Sequence, residues 1–316
     1  MTKNPAVQPE PRPPGAPIFP HFKPLELADR EAIEAFTRQF DPYSDFCFST
    51  LIFYDGDGHT RWCWLNGNLA LHLHDGFGPG AYLTFLGGAE AAATAAALSG
   101  YAERIDISPV LRRVPGISAL AIAKESDTFS IEEDRDGFDY SDSTQSLTEL
   151  RGSPLITLRY DVNFAKRHYA HCRIVPLDLC DPSTHARLRS AVSAWHMEKN
   201  SSDTLRRYCV AFESCLLHSQ SFDLGGTGVM IGDVLAGFSI METTRNHWLL
   251  SHFKGTAPQY AHLSGYLLHQ AAARGFASGQ TNLNFQEDLG NPGLRRFKMK
   301  CAPSGFLRKY FISLKP

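Results

Sequence analysis

Positions 284–298 read Asn284, Phe285, Gln286, Glu287, Asp288, Leu289, Gly290, Asn291, Pro292, Gly293, Leu294, Arg295, Arg296, Phe297 and Lys298. Two adjacent carboxylates, Glu287 and Asp288, precede a run of cations. Like charges side by side raise one carboxyl pKa toward neutrality, where that group can take a proton. Arg295 and Lys298 are three apart, so on a helix they share an accessible face suited to an anionic group. Gly290 and Gly293 bound the turn and join them as the candidate binding group, with the helix's first amides as further anion donors. The chemistry on offer is to hold a charged group and move a proton. The same residues also suit a surface turn with a capped helix and ordinary ion pairs.

Those side chains need a strand, a turn and a helix to carry them. Residues 281–285 are apolar enough for the strand. Asn291-Pro292 predicts the helix start, with Asn as N-cap and Pro in the first turn. Leu294, Phe297 and Cys301 then recur at helical spacing toward a core. Upstream, the pattern predicts a strand at 173–176, helices at 183–199 and 204–220, and a hairpin of 228–231 with 234–240. A strand at 248–253 follows, then a helix at 260–274 stopped by Gly275, and a last strand at 306–312. In the first half, the Asn66-Gly67 pair between apolar runs predicts a hairpin of 61–65 with 69–73. Around it lie a helix at 26–40, a strand at 81–86 and an Ala-rich helix at 90–98. Residues 117–123 read as a strand, 132–143 as an acidic loop, 147–151 as a short helix and 158–171 as a basic one.

The order in the second half is strand, helix, helix, three strands, helix, strand, helix, strand. That is the order of the Gcn5-related N-acetyltransferase (GNAT) fold, and the first half holds a looser version. The expected fold class is therefore α+β, two GNAT-like modules in tandem with mixed central sheets flanked by helices. The expected boundaries are a disordered Pro-rich leader over 1–20, a first module over 21–150, a connecting helix over 151–171 and a second module over 172–316.

Composition sets the outer limits. The chain has 316 residues, 43% hydrophobic and 20% charged, as in a water-soluble globular protein. Its 7 cysteines form no Cys-x-x-Cys pair, which argues against a disulfide framework or zinc knuckle and fits a cytoplasmic setting. No apolar run approaches the roughly 20 residues of a membrane span, so any lipid would be met from the water side. The net charge of -2 hides an asymmetry: residues 1–150 carry 11 Lys and Arg against 22 Asp and Glu, and residues 151–316 carry 20 against 11. The basic half is the candidate partner of a polyanion, or else the acidic half docks on it.

Three segments carry a family resemblance: Arg135-Asp136-Gly137-Phe138-Asp139-Tyr140 with Leu147, Leu150 and Gly152; Arg159 with Asn163-Phe164; and Asn284, Glu287, Asp288, Gly290, Gly293, Leu294, Arg295 and Lys298. Together they resemble the phosphatidylglycerol lysyltransferase C-terminal family. Asp142 stands where that family often has an aromatic residue, and Tyr160 where it tends to have Asn. The resemblance implies a tandem GNAT fold akin to the Fem aminoacyltransferases. Members fused to a membrane flippase move an amino acid from aminoacyl-tRNA to a lipid headgroup. This chain would be a soluble counterpart without that membrane half.

Transfer from a tRNA ester needs a deprotonated nucleophile, a stabilised oxyanion and a grip on phosphate. Glu287 or Asp288 would take the proton, Arg295 and Lys298 the phosphate, and Asn284 would donate to the oxyanion. Asn284 also suits a strand-ending residue bonded to the turn. His252 is a second candidate base, or a packed strand histidine. The expected donor is aminoacyl-tRNA with no tightly bound cofactor, and the acceptor a lipid headgroup or small amine. Acyl-CoA is the alternative donor, but the stretch that would cradle its pyrophosphate, residues 259–264, has no glycine. A non-catalytic ligand-binding module is a third reading. His72 and His74 share a strand face without a third ligand, so no metal is expected. Stripes containing His262, Tyr266 and His269 read as core or rim packing. Hydrolase, NTPase and dehydrogenase motifs are absent.

Overall fold

The computed structural model describes residues 12–56, 58–75, 80–169, 171–197 and 203–316. Residues 1–11 of the expected leader lie outside the described residues. Its end is not disordered: Trp64 donates to the Pro17 carbonyl (2.7 Å), and the Phe19 amide donates back to Trp64 (3.1 Å). Burial of Ala16 completes that anchor.

Two compact units form, Met1–Phe138 with Leu307–Pro316 and Asp139–Phe306. In the first, β1 (Lys23–Pro24), α1 (Arg30–Thr37), α2 (Phe48–Phe53), β2 (Arg61–Leu65), β3 (Asn68–Asp75) and β4 (Gly80–Leu86) precede α3 (Ala91–Arg104), β5 (Leu111–Pro115), α4 (Gly116–Glu125) and β6 (Phe129–Glu133). Asn66 (φ 51) and Gly67 (φ 76) form the expected hairpin turn, since only a left-handed pair matches the twist of the flanking strands. Residues 117–123 are helical, not a strand. Their buried positions Ser118, Ala119 and Ile122 follow a helical period, which a short apolar run does not reveal.

The second unit holds β7 (Asp139–Ser143), α5 (Thr144–Glu149), α6 (Ile156–His168), β8 (Cys172–Leu177), α7 (Pro182–Met197), α8 (Asp203–Leu217), β9 (Leu224–Ile231), β10 (Val234–Thr244), β11 (Trp248–Thr256), α9 (Leu263–Ala277), β12 (Asn282–Asn284), α10 (Pro292–Lys300) and β13 (Gly305–Leu307). The last strand, β14 (Lys309–Leu314), belongs to the first unit. From β8 to β13 the element order is the GNAT order, and β1 to β6 repeat it. The sheets run β1-β2-β3-β4 and β5-β14-β6 in one unit and β13-β7-β12-β11-β10-β9-β8 in the other.

Each unit thus takes in a strand that chain order assigns elsewhere, and this corrects two expectations. The stretch 132–143 is not an acidic loop: β6 pairs with β14, and β7 pairs with β12 through Leu283 and Asp142. The single strand expected at 306–312 is two strands in two sheets. The units accordingly divide at 138/139 and 306/307 rather than near 150, because Tyr140, Leu147 and Leu150 fill the second unit's core. Lys309 is fully buried in the first unit, paired with Asp45, which also holds Arg113 at 2.7 Å. Burial pushes Asp45 up, but Lys309 and Arg113 outweigh it and hold its pKa at about 2.

The helix α9 crosses the second sheet with Leu263, Leu267, Leu268, Ala271 and Ala272 buried. Its stop is Gly279 (φ 84), whose amide donates to Phe276 while that of Gln280 donates to Gly275, a left-handed cap. Gly275, the expected stop, instead allows close contact: a Cβ there would lie 2.1 Å from Leu249 Cδ1. Gly275→Ala is therefore expected to destabilise the protein by about 1–3 kcal/mol despite its better helix propensity, read as a lower urea midpoint at unchanged m.

Candidate functional site

The turn after β12 is built as a lock. Asp288 is fully buried and its carboxylate is saturated: Arg295 Nε and Nη2 donate at 2.8 and 2.7 Å, the Gly290 amide at 2.9 Å, and the Tyr140 hydroxyl closes the set. Burial raises its pKa, but the hydrogen bonds from Arg295, Tyr140 and Gly290 outweigh that and leave it lowered. A carboxylate so held is a poor proton acceptor. The adjacency of Glu287, half-buried beside it, does not decide its charge; the guanidinium does.

Lys298 Nζ donates to the carbonyls of Phe285 (2.7 Å), Gln286 (3.0 Å) and Glu287. An ammonium has three donors, so this group is spent on the turn rather than held out for phosphate. It thereby supports the left-handed Gln286 (φ 61). Asn291 caps α10, its Oδ1 accepting from Gly293 (2.9 Å) and Leu294 (3.1 Å). The helix's first amides are committed as well. Asn284, fully buried, accepts the Gln286 amide at 2.6 Å and donates to Asp139 at 3.2 Å. The turn-bonded alternative for Asn284 is the geometry observed.

His252 is enclosed too. The β10–β11 register shifts between Ile240/Met241, from Met241↔Ser251 to Ile240↔Phe253, and leaves His252 at a bulge. The bulge breaks the two-residue alternation of the strand. His252 Nε2 meets Glu242 Oε2 at 2.9 Å, while Lys254 projects to α10, its Nζ 3.5 Å from the Phe297 ring centroid.

That strand also diverges from its neighbour. Pairing of β11 with β12 covers only Trp248, Leu249 and Leu250, so residues 251–256 run on without a β12 partner. Beyond β12 the chain stays with β7 through Phe285 and Tyr140. Lys254, on this stretch of β11, belongs to a cluster of titratable groups. Lys254 makes no hydrogen bond or ion pair through its Nζ among the described residues; burial depresses it, Lys298 and Lys300 add to that, and Cys301 and Asp161 partly oppose it, leaving a pKa of about 7. Lys300 lies over the other reach of Phe297 (5.2 Å) and pairs with Asp161. Asp161, buried on α6, accepts from His262 at 2.8 Å. His262 is left-handed (φ 64) at the N-cap of α9. At that pKa the amine of Lys254 can exist uncharged near neutrality and take a proton.

Sequence reasoning passed over Lys254, Asp161 and Lys300. The bulge at His252 disturbs the alternation that would place Lys254 on the same face, and Asp161 meets His262 across 101 positions. The sole signal was the basic character of α10. Tyr266 and His269 keep the packing roles expected, against Cys172 and the Thr148 carbonyl.

At Asp142, unlike Asp45 and Asp288, burial prevails. It is 3% exposed, Oδ1 accepts the Ser143 amide at 2.7 Å, and burial lifts its pKa to about 6, with Ser143 and Ser304 opposing. A raised carboxyl pKa favours the folded state at low pH and withdraws that support as pH climbs through about 6. Asp142→Asn is therefore expected to stabilise the protein at pH 8 by up to about 3 kcal/mol and to leave stability at pH 4 little changed, as measured by urea denaturation at both pH values.

The family model described as phosphatidylglycerol lysyltransferase, C-terminal, matches residues 37–313. No curated protein matches by sequence. Among solved structures, a conserved protein of unknown function from Bacteroides thetaiotaomicron matches with TM-score 0.79 at 21% identity, over 93% of this chain and 99% of that one. The C-terminal domain of a putative lysylphosphatidylglycerol synthetase from Agrobacterium fabrum matches with TM-score 0.62 at 12% identity, over 91% and 92%. L-PGS from Bacillus licheniformis matches with TM-score 0.58 at 14% identity, over 91% and 92%. At these identities the likeness is one of fold. No helix among the described residues is long and apolar enough to cross a membrane.

Proposed function

Since the chain belongs to the phosphatidylglycerol lysyltransferase C-terminal family, we propose that it is a transferase moving an aminoacyl group from aminoacyl-tRNA to a lipid headgroup or small amine, with Lys254 as the proton acceptor. The observation that carries this reading is the half-buried amine of Lys254, without a hydrogen-bond or ion-pair partner among the described residues, on the stretch of β11 that runs on past β12. The acceptor's hydroxyl or amine would lose its proton to Lys254 Nζ as its heteroatom attacks the ester carbonyl. The ester C–O bond then breaks, and the departing 3′ oxygen of the tRNA takes the proton back from Lys254. No bound cofactor is called for, and a cytoplasmic setting goes with a tRNA donor.

An acyl-CoA donor is less well served. Besides lacking glycine at 259–264, the first turn of α9 is filled: a Cβ at Gly265 would come 2.4 Å from Asp161 Oδ2. A carboxylate in that position opposes a pyrophosphate approaching the same amides. The test is to incubate the pure protein with labelled aminoacyl-tRNA and extracted lipids or polyamines. Label in the acceptor supports the reading. A thermal shift and turnover with acyl-CoA, but none with aminoacyl-tRNA, would replace it with the acyl-CoA alternative. Binding of either donor without transfer would favour a non-catalytic module.

A further inference from the structure

Beside the Lys254 cluster the second unit carries an aromatic surface that no step above uses. Tyr160, Phe164 and His168 recur every four residues along α6 and form one stripe. The rings touch in series: Tyr160 to Phe164 at 6.1 Å, and Phe164 stacked on His168 at 3.8 Å and 11°. His262 closes the near end, 4.4 Å from Phe164 and 5.1 Å from Tyr160. Tyr169 and Tyr260 extend the far side, 5.6 Å apart, with Tyr169 6.2 Å from Phe164. Buried rings in series are ordinary core. Here Tyr160 is 56% exposed, His168 and His262 are exposed, and the other three are half-buried. Exposed Lys166 and Arg167 stand on the same helix.

Exposed and half-buried rings in contact, flanked by cations, are the composition of a surface that stacks unpaired bases while the cations follow the phosphates. Duplex RNA hides its base faces, so the fitting ligand is single-stranded. We propose that this shelf binds the unpaired 3′ end of an RNA, seating its terminal bases on Tyr160, Phe164 and His262 so that the attached group reaches the Lys254 cluster. The near end of the shelf is His262, and His262 is joined through Asp161 and Lys300 to the Phe297 ring that Lys254 covers. The proposal rests on the aminoacyl-tRNA reading for its biological ligand, but the binding chemistry stands apart from the transfer. CoA offers the same base and phosphate chemistry in a smaller molecule. We favour RNA because the shelf spans six rings, more than one adenine can cover.

The experiment measures fluorescence anisotropy of a labelled RNA with an unpaired CCA end against the full chain. Wild-type protein is expected to bind it in a salt-dependent way, with a blunt duplex of the same sequence competing poorly. Tyr160→Ala and Phe164→Ala should each weaken binding roughly fivefold or more, and Tyr160→Phe should retain it. Tyr160 is mostly exposed, so its alanine variant keeps the fold, which an unchanged thermal midpoint verifies. Equal binding by wild type and both alanine variants overturns the proposal, as does CoA displacing the RNA from the shelf at equal concentration. Transfer from aminoacyl-tRNA with KM unchanged in Tyr160→Ala would overturn the shelf and leave the function standing. RNA bound at the shelf with no transfer would do the reverse.

Discussion

Arg295→Ala is expected to cost the protein about 3 kcal/mol of stability, at the lower end of the roughly 3–5 kcal/mol for breaking a buried pair. The lower end applies because the Arg295 side chain is 36% exposed while that of Asp288 is 0% exposed. Removing the guanidinium takes two charge-assisted hydrogen bonds from a buried carboxylate. Arg295→Lys should rescue little, since a point-charge ammonium cannot reproduce the paired Nε and Nη2 contacts. The pH dependence adds a second readout. Asp288 has a lowered folded pKa, so its contribution is present above pH 4 and is lost as pH falls through the folded value. In Arg295→Ala that acid-side loss should shrink. Urea titrations at pH 7 and pH 3.5 measure both effects. Unchanged stability with weakened ligand binding would instead return Arg295 to the phosphate role that its sequence position suggests.

Lys254→Met should lower transfer by about a hundredfold to ten-thousandfold, the usual range for a general base. Lys254 accepts a proton only when neutral. Wild-type kcat/KM should therefore rise about tenfold per pH unit below about 7 and level off above it. The methionine variant should show no such limb, and Lys254→Arg should not restore it because arginine stays charged. Stability offers a test free of activity. The folded chain releases this proton at about 7, whereas an unfolded lysine keeps it to about 10.4. The unfolded state binds more protons across that window, so wild-type stability gains from this residue as pH rises through it, and Lys254→Met removes the gain. A pH limb that survives in Lys254→Met would mean that the base is another group.

Much of the fold was legible because it is local. The Asn66-Gly67 turn, the Asn291-Pro292 helix start and the helical spacing of α8, α9 and α10 depend on neighbours within a few residues, and each forms as expected except that α9 starts at Leu263 and runs past Gly275 to Ala277. What was illegible is non-local. Strand β7 follows β6 in sequence yet pairs with β12, and β14 follows β13 yet pairs with β5 and β6. The charge asymmetry changes with that pairing. Residues 1–138 with 307–316 hold 14 Lys and Arg against 19 Asp and Glu, and residues 139–306 hold 17 against 14. The sharp split between sequence halves becomes a mild one between folded units.

The stretch from Asn284 to Lys298 shows the same division within fifteen positions. Its sequence alone determined a strand, a tight turn and a capped cationic helix, since caps, turn residues and periodicity act at short range. Only the tertiary structure decided what the charges do. Tyr140, arriving on a strand 148 positions away, completes the cage of Asp288, and Lys298 turns back onto three carbonyls. The reactive prospect moved to Lys254, because a bulged residue interrupts the strand's alternation just before it and no carboxylate among the described residues pairs with it. A pKa is set by what surrounds a group in space, and that surrounding is assembled only when distant strands meet.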